Sequence, residues 1–324
     1  MVEAGVLQAA ANAYGLDVNL LRHVGGNVNV VYQYPAGQGF PARILRLSTQ
    51  KWRSEQEAMA ELHFMMYLYD HGVSVPKVFL SKGEKWVESI AGGFHAAVFG
   101  EAPGKIATEE DWNPKLFENW GRLLGQMHLL TQSYVPLPDA QRRDWKQETW
   151  MDMMRNLPQE ETIARQKAYE LTTWLETLPK DLKNYGLVHC DLHAKNIFVT
   201  KDSSITAFDF DDSCYHWFVY DIAIILHSVI IRQKRLEQQS STLDDHVAWF
   251  FTWFMKGYQE IQNVESWWLK AIPKFLSYRR LLDYNFLHQK YDWGTVEGPL
   301  KAAWQRMKVE IEADEPLTHF SFDE

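Results

Sequence analysis

Cysteine is scarce. The 324 residues hold two, Cys190 and Cys214, too few for the disulfide framework of a small secreted scaffold. One bridge between them is allowed but not implied, and no Cys/His cluster has zinc-ligand spacing. Long apolar runs are missing as well. The longest, near Ile222 to Leu226, is far too short to span a bilayer, so no membrane partner is expected. Met1 to Ala13 has no basic stretch leading into an apolar one, so no signal peptide is expected and a reducing cytoplasm is the default. Basic excess is absent too: 33 Lys and Arg stand against 42 Asp and Glu, a net charge of -9, which argues against nucleic-acid binding. There is no internal repeat and no low-complexity segment. The acidic stretch from Glu310 to Glu324 reads as a solvated tail.

What is present is a soluble composition, 46% apolar, in a chain long enough for two lobes. Val28 to Tyr34 and Ala42 to Leu47 read as strands joined by the turn Pro35-Ala36-Gly37-Gln38-Gly39, a hairpin. Ser54-Glu55-Gln56-Glu57 is a capping-box signature, and Met59, Leu62, Met65, Met66 and Leu68 follow at helical spacing up to Asp70-His71-Gly72. Val75 to Leu80, Lys85 to Ile90 and Phe94 to Phe99 read as further strands. Gly100 to Gly104 then punctuates the chain, which divides it into an N-terminal lobe, 1–100, and a C-terminal lobe, 101–324. The second part is mainly helical. Leu116 to Leu130 is one helix, residues 140–180 hold one or two more, and Trp-rich helices follow Asp221. The tryptophans read first as core.

Between these helices lies a different pattern. Ile197 to Val199 and Ile205 to Phe208 are short apolar strands joined by Thr200-Lys201-Asp202-Ser203-Ser204. Such a hairpin brings its open ends together, and those ends carry Asn196 and Asp209, two hard oxygen donors suited to Mg²⁺. Asp191, five positions before Asn196, sits in the loop that leaves the preceding strand. A carboxylate there can orient a hydroxyl and accept its proton as it attacks a phosphate.

His189-x-Asp191-x-x-x-x-Asn196 with the downstream Asp209 resembles the catalytic and metal-binding loops of the aminoglycoside phosphotransferase and choline kinase family, relatives of protein kinases that include homoserine-kinase-like members. His193, in Asp-Leu-His, resembles the small-molecule branch. Gly121-x-x-x-Gly125-x-x-His128 and Asp221-Ile222-Ala223 extend the likeness over roughly residues 25 to 230. The resemblance implies a two-lobed α+β, protein-kinase-like fold, with an N-terminal antiparallel sheet and one long helix before a mainly helical C-terminal lobe. It also implies ATP, Mg²⁺ and a small-molecule hydroxyl acceptor: an amino alcohol, aminoglycoside, homoserine-like amino acid or sugar.

Residue by residue, the resemblance makes Asp191 the catalytic base and Asn196 and Asp209 the metal ligands. It puts Arg46 where Lys is usual, to hold the ATP phosphates with a helix carboxylate. Glu61 is the expected partner, since the capping box accounts for Glu57. Gly25-Gly26-Asn27-Val28-Asn29 is a weak counterpart of the glycine loop, with Asn29 at the nucleotide. Backbone from Val98 to Glu101, including Gly100, is expected at adenine. Asp211 and Asp212 are candidate substrate contacts for a cationic acceptor, or else structural acids. His128, His189 and His193 read as supports, Asp221 as the residue that holds the catalytic loop, and Cys190 as a small buried thiol where the family usually has Gly. Two other readings share the fold: a protein Ser/Thr kinase, and a catalytically silent binding protein.

Overall fold

The computed structural model describes residues 2–26, 28–37, 41–236 and 243–322. Of the expected features, Asn27 in the glycine fragment, Gln38 and Gly39 in the first turn, and Asp323 and Glu324 in the tail lie outside the described residues. In chain order the elements are α1 (Ala4–Tyr14), β1 (Arg22–Gly25), β2 (Val30–Tyr34), β3 (Arg43–Thr49), α2 (Glu55–Asp70), β4 (Val78–Phe79), β5 (Glu88–Ile90), β6 (Phe94–Gly100), α3 (Pro114–Thr131), α4 (Met153–Asn156), α5 (Thr162–Glu176), β7 (Tyr185–Val188), β8 (Ile197–Val199), β9 (Ile205–Ala207), β10 (Cys214–Trp217), α6 (Phe218–Leu236), α7 (Leu243–Gln259), α8 (Ser266–Lys290) and α9 (Pro299–Glu312). No helix among the described residues is long and apolar enough to cross a membrane.

The chain forms two compact units. The first comprises Met1–Asp111, Ser133–Arg142 and Asn196–Asp211; the second comprises Trp112–Gln132, Arg143–Lys195 and Asp212–Glu324. The expected boundary at residue 100 falls inside the first unit, because the chain beyond β6 stays attached there: Lys105 and Val199 exchange backbone hydrogen bonds of 3.1 and 2.7 Å.

The first unit is built on an antiparallel sheet of order β1-β2-β3-β6-β4, with β5 also on β6. Strand alternation sends Leu45 and Leu47 of β3, with Ala96 and Val98 of β6, into a core shared with Val6, Ala10, Ala11 and Tyr14 of α1. Tyr14 closes this layer by donating its hydroxyl to the carbonyl of Ala96 at 2.8 Å. The same alternation turns Arg46 to the other face. The long helix α2 starts at the expected capping box: Ser54 Oγ accepts from the Glu57 N–H at 3.2 Å, and Glu57 Oε2 accepts from the Ser54 N–H at 2.9 Å. Hairpin β8–β9 completes the unit, with Ile197 opposite Ala207.

The second unit is mainly helical, with the two-stranded sheet β7–β10 set among its helices. Helices α3 and α7 touch backbone to backbone. A Cβ on Gly121 would lie 1.9 Å from the Phe254 carbonyl oxygen, and one on Gly257 would lie 1.8 Å from that of Glu118. The glycine pattern of α3 is therefore a close-packing device. Residues 140–180 deliver α4 and α5, preceded by short 3₁₀ turns around Trp145 and Trp150. The acidic stretch after Glu310 is not a free tail: Ile311, Leu317 and Phe322 are buried, and Arg280 Nη1 donates to the Glu315 carbonyl at 2.8 Å. Trp268 is buried as expected, whereas Trp249 and Trp267 are partly exposed.

Candidate active site

Arg46 and Glu61 form a buried, two-pronged ion pair in the first unit. Nη1 donates to Oε1 and Nη2 to Oε2, each at 2.7 Å. The Phe99 ring lies 5.0 Å from the guanidinium. Burial alone would lower the Arg46 pKa, but Glu61, with Asp211 and Asp209 behind it, lifts it above the ordinary arginine range. Glu57, one helical turn earlier, is committed to the cap.

Asn29 and Asp211 are both buried, and the Asn29 amide donates to Asp211 Oδ2 at 3.4 Å. Arg53 Nε approaches Asp211 Oδ1 at 3.8 Å. Arg142 donates to the Asp211 carbonyl and, at 3.1 Å, to that of Glu57. The Asp211 carboxylate is thus taken up by internal partners, which corrects its assignment as a contact for a substrate cation. Gly26, beside Asn29, has φ +116°, and a Cβ there would lie 1.8 Å from the Asn29 carbonyl oxygen, so this turn requires glycine. At the end of β6, Val98 is buried in the core, and the N–H groups of Gly100 and Glu101 donate to Lys77 and Ala42. Those two N–H groups are therefore already used within the fold.

The open end of hairpin β8–β9 is closed by the Phe208 N–H, which donates to the Asn196 carbonyl at 3.0 Å. Asn196 and Asp209 thereby sit side by side at one end of a rigid support. Asn196 is buried and Asp209 exposed. Asp209 has φ +66°, a left-handed conformation that Asp tolerates better than bulkier residues do. Among the described residues there is no group of three or more His, Cys, Asp or Glu placed to hold a metal. A divalent ion here would rest on these two oxygen donors, with water and phosphate oxygens for the remainder.

Asp191 belongs to the second unit. Its loop leaves β7 and is held by Asp221 of α6, whose two oxygens accept from the N–H groups of His189 at 2.9 Å and Cys190 at 2.8 Å. His128 Nε2 lies 3.4 Å from Asp221, and its Nδ1 lies 2.8 Å from the Tyr258 hydroxyl. Burial pushes the His128 pKa down, against the pull of Asp221. Cys190 takes φ +63°, the conformation for which glycine is best suited, which explains why a family like this one would place Gly there. Its sulfur is 3.1 Å from that of Cys214, and both are buried free thiols. Burial pushes the Cys190 thiol well up.

Asp191 itself is half-buried. Oδ1 lies 3.3 Å from Arg279 Nη2, and Oδ2 lies 3.4 Å from His193 Nε2. Asp212 is half-buried in the same unit. Sequence reasoning missed Arg279, which lies 88 residues downstream of Asp191 on α8. The nearest signal was Arg279 and Asp283 four apart on one helix, a pattern that usually marks a solvated face.

The profile of the Phosphotransferase enzyme family (APH) matches residues 20–253. Amicoumacin kinase of Bacillus subtilis (strain 168) is 37% identical over 328 residues, covering 99% of this chain and 95% of that protein. Among solved structures, amicoumacin kinase hAmiN in complex with AMP-PNP, Ca²⁺ and Ami superposes with a TM-score of 0.92 at 34% identity, over 99% of this chain and 96% of that one. The microcompartment-associated aminopropanol kinase shares the fold, with a TM-score of 0.73 at 21% identity over 96% of both chains. A match of this length to small-molecule kinases sets aside both the protein-kinase and the silent-binder readings. The chain belongs to the APH phosphotransferase enzyme family and is a small-molecule phosphotransferase.

Proposed function

We propose that this enzyme transfers the γ-phosphoryl group of ATP to a hydroxyl of amicoumacin or a close chemical relative. The observation that carries this reading is the end-to-end similarity to amicoumacin kinase, 99% of this chain against 95% of that protein. The first unit, built mainly from the N-terminal 100 or so residues, takes the nucleotide by the reasoning applied to kinase phosphate clamps. Arg46, held by Glu61, neutralises phosphate charge. Glycine-dependent backbone before Asn29 lies over the phosphates, and the chain from Val98 to Glu101 offers carbonyl groups to adenine. Asn196 and Asp209 would hold Mg²⁺, which when bound offsets the charge of the phosphates.

In the second unit Asp191 orients the acceptor hydroxyl. The hydroxyl oxygen bonds to the γ-phosphorus, the bond from that phosphorus to the β–γ bridging oxygen breaks, ADP leaves, and the hydroxyl proton passes to Asp191. Asp212 is the remaining acidic candidate for an amine on the acceptor. The test is incubation with Mg·ATP and, separately, amicoumacin, aminopropanol, homoserine and spectinomycin, followed by mass spectrometry. Phosphorylated amicoumacin as the dominant product supports the proposal. Exclusive turnover of another acceptor sinks its substrate part, and turnover of none sinks the whole.

A further inference from the structure

Asp191 follows a residue in a left-handed conformation, on a loop with no regular secondary structure of its own. Backbone bonds to Asp221 fix where this loop begins, but they do not fix the direction of the carboxylate. Arg279 does bear on that direction. Its Nη2 lies 3.3 Å from Asp191 Oδ1, and its Nη1 donates to the Cys190 carbonyl at 3.4 Å. One planar guanidinium therefore grips the side chain of residue 191 and the backbone of residue 190. The grip is itself held: Nε lies 3.0 Å from Asp283 Oδ1, one turn along the 25-residue helix α8. The Arg279 side chain is 14% exposed and that of Asp191 is 21% exposed, so the contact is sheltered from solvent screening. Burial would lower the Arg279 pKa, yet Asp283, Tyr220 and Asp191 together raise it, so the charge is permanent. A guanidinium has donors only and cannot serve as a base.

We infer that Arg279 is a positioning residue, which acts through Asp191 by fixing the direction of its carboxylate toward the acceptor hydroxyl. This rests on the reading of Asp191 as the base. A purely structural role is the alternative, and it would affect the folded fraction rather than the rate of the folded enzyme.

The experiment is a double-mutant cycle on phosphotransfer to amicoumacin and on acceptor-free ATP hydrolysis, normalised to folded enzyme. Arg279→Gln should lower kcat by about tenfold or more, part of the ~100- to 10,000-fold range of general-base effects. The KM for ATP should stay within about twofold, because a transition-state contact is lost and not a ground-state one. Arg279→Lys should recover part of kcat. In an Asp191→Asn background, Arg279→Gln should cost nothing more, because its effect passes through that carboxylate. Unchanged kcat in Arg279→Gln, or the same fold-loss in both backgrounds, overturns the inference and leaves Asp191 standing as base. Wild-type rates in Asp191→Asn overturn the reading of the base and the inference with it. If Arg279→Gln does not fold, Asp283→Asn, which releases the grip from its far side, carries the test by the same split between kcat and KM.

Discussion

Glu61 accepts both terminal nitrogens of Arg46, one on each carboxylate oxygen, in a pocket where Glu61 itself is wholly buried. Removing one partner of such a pair strands the other charge. Glu61→Ala should therefore cost about 3–5 kcal/mol of stability, against about 1 kcal/mol for loss of the Glu57 cap. ATP affinity should fall with Glu61→Ala more than with Glu57→Ala. Denaturant midpoints and nucleotide titration read both, and a larger effect of Glu57→Ala on either would show that the wrong helix turn was chosen.

Asp209 sits at a left-handed backbone position, so Asn rather than Ala is the informative replacement. Asp209→Asn keeps the conformation and removes the charge. Mg²⁺-dependent ATP affinity should drop by at least tenfold, about 1.4 kcal/mol, while the thermal midpoint stays near wild type. Titration calorimetry with and without Mg²⁺ decides the matter. Equal Mg·ATP affinity in the variant would remove Asp209 from the metal site.

Helices α3 and α7 leave no room for a methyl group at their crossing, since a Cβ on Gly257 would lie 1.8 Å from the Glu118 carbonyl oxygen. Backbone cannot swing aside as a flexible side chain can. Gly257→Ala should destabilise by the upper end of the overpacking range, about 3 kcal/mol or more. Gly5→Ala, in open space on α1, should stabilise by roughly 0.5–1 kcal/mol through helix propensity. Comparable melting points for these two variants would contradict the packing described here.

His227 lies in the core of the second unit, where burial lowers its pKa to about 4 despite Asp283 nearby. The folded value lies below the unfolded one of about 6.5, so the unfolded chain binds the extra proton first. The neutral ring's contribution is complete above about pH 6.5 and is lost on acidification toward the folded value, at ~1.4 kcal/mol per unit. His128 and His216 are shifted the same way by burial and add to the slope. Urea midpoints at pH 7.5, 6 and 5 should fall steadily in wild type and less steeply in His227→Gln. Parallel declines would rule His227 out as a source of the acid sensitivity.

Much of this could be read from neighbouring residues in the sequence. The cap at Ser54 and Glu57, the β2–β3 hairpin, the β8–β9 hairpin and the choice of Glu61 all depend on short-range rules. Features that depend on distant partners were not legible. Strand β1 is almost wholly exposed and has no apolar alternation to reveal it; it exists because β2 offers an edge. Helix α1 has no side-chain cap and only a narrow apolar stripe, and its place becomes evident once the sheet has a bare face to cover. Arg53 and Arg142 meet Asp211, and Arg279 meets Asp191, across separations that no local pattern encodes.

The first unit is assembled from three separate stretches of chain, and this fixes when it can form during synthesis. A nascent chain that has reached Asp111 holds the sheet and α2 but lacks the parts that complete them. Phe210, fully buried and 6.1 Å from the Phe64 ring, has not been made, nor has Ala207, whose N–H donates to the Ser74 carbonyl. Arg142, which braces the Glu57 carbonyl, is also missing. The unit closes only when Asp211 has left the ribosome, so the α2 surface waits uncovered through the intervening translation. That interval is when chaperone capture and premature termination bear on this protein, and a fragment cut after the first unit's opening stretch would be an unfinished nucleus rather than a domain.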